Sequence, residues 1–453
     1  MRWRPLFFAL ACLALRAAPA QALICVACRL PVTHTWPTDP SPCGGGSTLQ
    51  ACIDSASPGD TVQIATNAPI DEAVSIQQGL TLEAASGFHP LFSAGQSITA
   101  VASASSSTAI TIAGLTITSG SIRAFQSGTG PLTIQIMNNT VTTPSADLES
   151  AIEVDGGSSG TGGVTFEISA NSLSTPAPSD LDNFAYGVQV SCFSTSATGR
   201  VAHNSISMGS TLEGSAISLT GSSLNVDVIA NHISGTDYDA GILVSALGGG
   251  GQARVLDNLV AGQSGNVGLS AAIGVSSGDG SFDVSIVNNT IADDQWGVAT
   301  RVDGTGTLSG IVANNIIADS GEVGIEIDSG ATATLENSNN LLFSDPQNAL
   351  TAGPGTVEAD PLFIDPPFGD YHVKPGSPAI DAGDDSAVPA TDLDGNPITD
   401  LDDNPRIQGA HVDIGAYETA PEPDAQTLAV TALAALLGVA ASEAARASRR
   451  RAG

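Results

Sequence analysis

Lysine is nearly absent from this 453-residue chain: Lys374 stands alone, and 14 basic side chains face 46 acidic ones for a formal charge of −32. That deficit argues against nucleic acid and anionic membrane as partners, because binding phosphate depends on Lys and Arg. Charged residues reach only 13% and aromatics 4%, so the chain is acidic without being charge-dense. Apolar residues show no 3.6-residue recurrence, which disfavours helical repeats. Cysteine is sparse too: Cys25 and Cys28 form the only CxxC, and a metal or redox site would need partners that are not there. Fifty glycines could suggest disorder, but 42% hydrophobic residues come in strand-sized packets that can fill a narrow core.

What is present is a repeat. One pattern recurs around Asn139, Asn171, Asn204, Asn231, Asn258, Asn289, Asn315 and Asn340. Two residues downstream lie Val141, Leu173, Ile206, Ile233, Val260, Ile291, Ile317 and Leu342; three upstream lie Ile136, Ile168, Val201, Val228, Val255, Ile286 and Val312, with Asn337 breaking the rule in the eighth copy. Strand side chains alternate with a period of two, so apolar positions five apart cannot share one face of a straight strand. The chain must turn a corner at each Asn. A second strand signal follows each corner but the last, as in AIEV at Ala151 and GIEI at Gly324. Coils of about 29 residues with β-branched strands fit a β-solenoid. Stacked coils would set the asparagines above one another as an amide ladder; the alternative is ordinary surface turns, where Asn is also common.

These features resemble the parallel β-helix of the pectin-lyase-like superfamily, with its corner asparagine ladders. The resemblance implies an all-β, right-handed parallel β-helix, expected from about Thr61 to Leu342, with a helical cap before it and a capping module after it.

In chain order, residues 1–22 read as an export signal: Arg2 and Arg4, the apolar run from Leu6 to Leu15, then APAQA. Residues 23–60 form the N-terminal segment and cap. In the oxidising compartment that export implies, Cys43 and Cys52 are expected to pair, Cys25 and Cys28 could pair locally, and Cys192 reads as a buried small hydrophobe. A helix is expected over Leu49–Ala56, then a turn at Pro58-Gly59-Asp60 and a strand from Thr61. Residues 343–420 carry DPLF, GSPAIDAG, DLDGNP and DIGAYE, and resemble the choice-of-anchor Q module of secreted bacterial β-helix proteins. That module carries no known catalytic role, so the resemblance implies C-terminal capping. The first DLDGNP lacks the usual following Arg, which appears instead at Arg406 in DLDDNPR. Residues 421–453 resemble a PEP-CTERM sorting tail: Pro421-Glu422-Pro423, an apolar run from Leu428 to Ala441, then Arg446 and Arg449–Arg451. The run is short for a span, although the basic end fits the positive-inside rule. An envelope location and a membrane sorting protease as partner follow from the resemblance.

Candidate chemistry is thin. A lyase needs a basic residue beside a neutralised carboxylate, yet Arg123, Arg200, Arg254 and Arg301 are spread one to a coil. Of the polygalacturonase-type motifs only Asp293-Asp294 is present. Variable loops leave one edge of every coil and hold Tyr186, Tyr238 and Trp296 with Asp182, Asp239 and Asp294. These are the expected sugar-binding residues, rings stacking on a glycan and carboxylates accepting from its hydroxyls, set on one long side of the rod. The alternative is a solvated loop edge. Asp392, Asp394 and Asn396 match Asp400, Asp402 and Asn404 at spacings that suit calcium; acidic turns without metal are the other reading. The favoured function is an exported, non-catalytic, glycan-binding surface or matrix protein, expected as a monomer, and the alternative is a polysaccharide lyase or glycoside hydrolase.

Overall fold

The structure, a computed structural model, describes residues 29–144, 150–157, 162–176, 184–209, 213–235, 240–262, 271–321, 323–327, 333–344 and 353–420. Its body is a parallel β-solenoid with three faces. In one coil, Ile122–Gln126 lies on the first face, Leu132–Met137 on the second and Thr140–Thr142 on the third. Each pairs in parallel with the equivalent strand of the next coil, for example Leu132 with Val164 and Val141 with Leu173. Three long strands, Phe184–Ala202, Glu213–Ile229 and Ala240–Leu256, run across the first two faces and join them into one 19-stranded sheet beside the 12-stranded third face. The apolar stacks read from the sequence fill the interior: Ile136, Ile168, Val201, Val228, Val255, Ile286 and Val312 are fully buried.

Each corner is made by two residues. The one before the ladder Asn has a left-handed backbone: Asn138, Ala170, His203, Ala230, Asp257, Asn288, Asn314 and Asn339, with φ between 50° and 58°. That reverses the alternation and lets positions five apart both face inward. Asn, Asp and His tolerate this conformation better than most side chains. The ladder Asn then ties coil to coil. In Asn231, Nδ2 donates to Asn258 Oδ1 (3.0 Å) and to Val201 O (2.9 Å), and the backbone N–H donates to the same Asn258 Oδ1 (3.0 Å). Leu115 N–H starts the series on Asn139 Oδ1 (3.0 Å). At the far end no ninth Asn follows, and Asn337 supplies the missing acceptor, its Oδ1 taking Asn340 Nδ2 at 2.6 Å. The break in the eighth copy is thus the ladder's terminator.

Parallel pairing reaches further than expected in both directions. Thr33–Trp36 pairs with Thr61–Ile64, and Leu341–Phe343 with Val357–Glu358. A lone strand of four residues carries little periodicity, so nothing in the sequence distinguished these from loop. The helix is Leu49–Ser55, with Leu49, Cys52 and Ile53 buried, N-capped by Thr48 and fixed by the Cys43–Cys52 disulfide. Gln50 completes the edge of Val74–Ile76: its Oε1 accepts Ser75 N–H (2.7 Å) and its Nε2 donates to Ser75 O (2.9 Å). An otherwise open sheet edge is closed by one amide. Cys192 is buried in the core, where burial raises its thiol to about 11, as for an inert hydrophobe.

The expected end cap is a correction. Residues 360–420 do not close the end of the rod; they run back along its flank as a clasp. Leu259, Ala261, Ala292, Ile316, Ala318 and Leu341 face outward from the third face and pack against Phe363, Tyr371, Ala379 and Ile414. Ala202, Ile229, Ala230, Leu256 and Val287 meet Ile398. Apolar side chains on both faces of these strands need a cover, and the clasp supplies it.

Candidate functional site

The left-handed corner residues form a rail on which the clasp sits. Asn288 Nδ2 donates to Asp413 O (2.8 Å), Asn314 exchanges hydrogen bonds with the Asp384 backbone (3.0 and 2.8 Å), and Asn339 Nδ2 reaches Ala382 O (3.2 Å). Asp257, at the same register position, faces Arg406 at 3.4 Å. These residues were missed by sequence reasoning, although the doublets Asn288-Asn289, Asn314-Asn315 and Asn339-Asn340 carried the signal.

Beside the rail, register places Gln135, Glu167, Arg200, Asp227 and Arg254 in one outward column of the second face. Arg200 is its centre. Nη2 bonds Glu167 Oε1 (2.7 Å), Nη1 bonds Asp392 Oδ2 of the clasp (2.8 Å), and Nε lies 3.6 Å from Asp394. Two coils on, Arg254 holds Asp227 of the coil between through two bonds (2.7 and 2.6 Å) and donates to Thr391 O (2.8 Å), while Leu393 N–H donates to Asp227 Oδ2 (2.8 Å). Burial works against the Arg200 charge, but Glu167, Asp392 and Asp394 outweigh it and raise its pKa. Asp392 is lowered despite burial, by Asn396 and Arg200. Between this column and the turn at Leu393–Asp394 lies a groove of about 210 Å³, lined by Thr133, Thr165, Thr198, Asn225 and Glu167.

In each of the two acidic turns the first Asp is engaged by hydrogen bonds within the turn. Asp392 Oδ1 accepts the Asp394 and Asn396 N–H groups, and its Oδ2 takes Asn396 Nδ2 and Arg200. Asp400 repeats the arrangement with Asp402, Asn404 and Glu418 N–H. Asp402 bonds His372 Nε2 (2.8 Å), whose pKa rises because Asp402 and Asp370 outweigh its burial. Asp392 and Asp400 thus turn their oxygens to donors inside each turn, and among the described residues no three His, Cys, Asp or Glu side chains could hold a metal. The spacing organises the turns.

Tyr186 and Trp296 occupy the same position of the first face, two residues before Val188 and Val298, in strands linked through Ser215, Ala240 and Ile273; both are half-buried. They stand away from the groove. Asp294, expected beside the ring as a hydroxyl acceptor, is instead 3% exposed, and so cannot offer its carboxylate to a glycan. Its neighbour Asp293 accepts from the Tyr371 hydroxyl of the clasp (3.2 Å), and burial with these acids raises that phenol. Asp182, Tyr238 and Asp239 lie outside the described residues, as do Cys25, Cys28, the export signal and the tail with Pro421, Glu422 and Pro423. Among the described residues no helix is long and apolar enough to cross a membrane.

No family model matches the chain, and no curated protein matches it. Among solved structures it is similar to the pectate lyase Pel9A, at 13% identity and a TM-score of 0.37 over 86% of this chain and 96% of that one. It is also similar to XylC in complex with xylose, at 9% identity and a TM-score of 0.39 over 83% and 96%. Likenesses of that size carry no argument about chemistry. The solenoid stands on its own strand pairings.

Proposed function

We propose that this protein is a non-catalytic β-solenoid of the cell envelope or matrix that holds a neutral glycan chain in the groove between its second face and the clasp. One observation carries the reading: the guanidinium at the groove, Arg200, is bonded on both sides by carboxylates of the rod and the clasp. A cation so engaged can neither act as the base of a lyase nor pair with a uronate. The threonines and Asn225 along the groove offer hydroxyl and amide partners to sugar hydroxyls. Export and retention rest on residues 1–22 and 421–453, whose order of motifs resembles a signal and a sorting tail.

The experiment is a panel of neutral and acidic polysaccharides assayed for binding and for depolymerisation. Neutral-chain binding without chain shortening, weakened by Thr165→Val with Thr198→Val, is the expected result. Depolymerisation of any member would establish the enzyme reading instead. Comparing secretion of the full chain with one ending at Ala420 tests the anchor; equal release of both forms would remove it.

A further inference from the structure

Where the clasp crosses the rail, acidic groups outnumber basic ones in a buried seam. Asp257 of the rod, 1% exposed, and Glu418 of the clasp face a single guanidinium, Arg406, 5% exposed, with Asp400 near Asp257 and Asp413 near Glu418. The four carboxylates are not equivalent. Asp400 accepts three backbone N–H groups and Asn404 Nδ2. Asp413 accepts Asp381 N–H (2.7 Å) and Thr419 N–H (2.7 Å). Asp400 is thus fully hydrogen-bonded, whereas burial, with Asp381 adding to it, raises the Asp413 pKa despite its two donors. Asp257 Oδ1 and Glu418 Oε2, in contrast, are buried and accept no hydrogen bond; Glu418 is held through Oε1 alone, which takes Asp413 N–H (3.1 Å) and faces Arg406 Nη2 (3.1 Å), and Arg406 Nε and Nη1 donate none.

An ionised carboxylate left so poorly partnered in a dry seam is costly, and the ordinary remedy is a proton. We propose that Asp257 and Glu418 form a proton-dependent latch that fastens the clasp to the rod, and that raising the pH loosens it. Asp257 stands on the rod and Glu418 on the clasp, with Arg406 between them, Asp400 near Asp257 and Asp413 near Glu418, Asp381 lying behind Asp413. Ionising both latch groups adds two negative charges to a buried seam that already holds Asp400 and Asp413 and only one guanidinium. Opening restores water to each.

The direction agrees with the titration of the two acids. Burial lifts Asp257 to about 7, with Asp400 adding to it and Arg406 opposing; burial lifts Glu418 to about 8, with Asp413 adding and Arg406 opposing. An acid raised on folding gives stability that is whole below its unfolded pKa and falls as pH climbs to the folded one. The window runs from about pH 4 to about pH 8. With one proton released per opening, the opening constant rises about tenfold per pH unit there, and up to about a hundredfold where both groups titrate together.

Hydrogen exchange of residues 360–420, referred to the rod strands from 132 to 175, tests this on the full chain between pH 5 and 9 after correction for intrinsic exchange. The parent's clasp protection should fall with pH while the reference strands hold. Binding of an apolar dye should rise in step as Ile316, Ala318 and Leu341 are uncovered. In Asp257→Asn with Glu418→Gln, amides stand in for the protonated acids and the slope should flatten. His203→Gln serves as control, because the exposed His203–Asp403 pair (3.7 Å) crosses the same seam and should leave the slope above pH 7 intact. Flat clasp protection in the parent overturns the latch, as does an unchanged slope in the double variant. If the double variant does not fold, Asp257→Asn alone must lessen the slope or the proposal fails.

Discussion

The rod has a bare half and a clasped half, and they are built from one repeat with different outward residues. On the third face of the bare half, Thr140–Thr142 buries only Val141, its two threonines turned to water. In the clasped half Ile316, Ile317 and Ala318 are all buried. The inner ladder is the same in both. What changes is the rail: Asn138 is exposed, whereas Asn288 is closed under Asp413. Coil stacking and side-to-side docking are therefore separable, the first carried by the ladder Asn and the second by the residue before it.

Arg406→Met should break the comparison most strongly. Above about pH 8, where both acids are ionised, it leaves Asp257 and Glu418 without their cation, and losing one partner of a buried ion cluster costs about 3–5 kcal/mol. Protease cleavage within residues 360–420 should appear well before any in the bare half, and simultaneous melting of both halves would show that they are one cooperative unit.

The bare half should fail at the opposite end of the pH scale. Asp60, buried below the first coils, accepts from Val32 and Ser57 N–H, Arg29 and His34. Burial alone would raise its pKa, but those donors, the Ser57 and Val32 N–H first, hold it well below the usual carboxylate range. A depressed acid gives stability present above its unfolded pKa and lost as pH falls through the folded one. Asp60→Asn should cost about 1–3 kcal/mol at pH 7, and less below pH 3, measured by urea unfolding of the N-terminal coils.

The finest test pairs equivalent positions. Asn314→Gly keeps the left-handed corner and removes two bonds to the clasp, for a loss of about 1–2 kcal/mol. Asn138→Gly, exposed and outside the clasp, should change the melting temperature by less than a degree or two. Equal effects would mean the rail matters for the turn alone.

How much of this was open to a reader of the sequence follows from the same contrast. Ladder and core were legible because register repeats them, so that Val141 or Ile286 is checked by its neighbours in the array. The clasp's place was not, because Asp392 meets Arg200 across 192 residues and no period links them. A clue existed in LVA and IIA, strands apolar on both faces, which point to a cover without saying which segment provides it. The acidic spacing left two readings open for a physical reason: oxygens two residues apart suit backbone N–H groups in a tight turn as well as they suit an ion.

The ladder has a direction. From Asn139 to Asn315 each side-chain oxygen accepts from the coil before it while each amide, besides a bond back to a carbonyl of the preceding coil, donates to the Asn Oδ1 of the coil after it; the series opens on a backbone N–H at Leu115 and closes on Asn337. Length is therefore a countable quantity that a gene can edit. A coil duplicated between Asn139 and Asn171 finds an acceptor ahead and a donor behind, and the rod grows by one step of about 4.8 Å. A coil added beyond Asn340 meets a side chain that has already ended the count, and it can join only if Asn337 gives way to the valine or isoleucine of its counterparts.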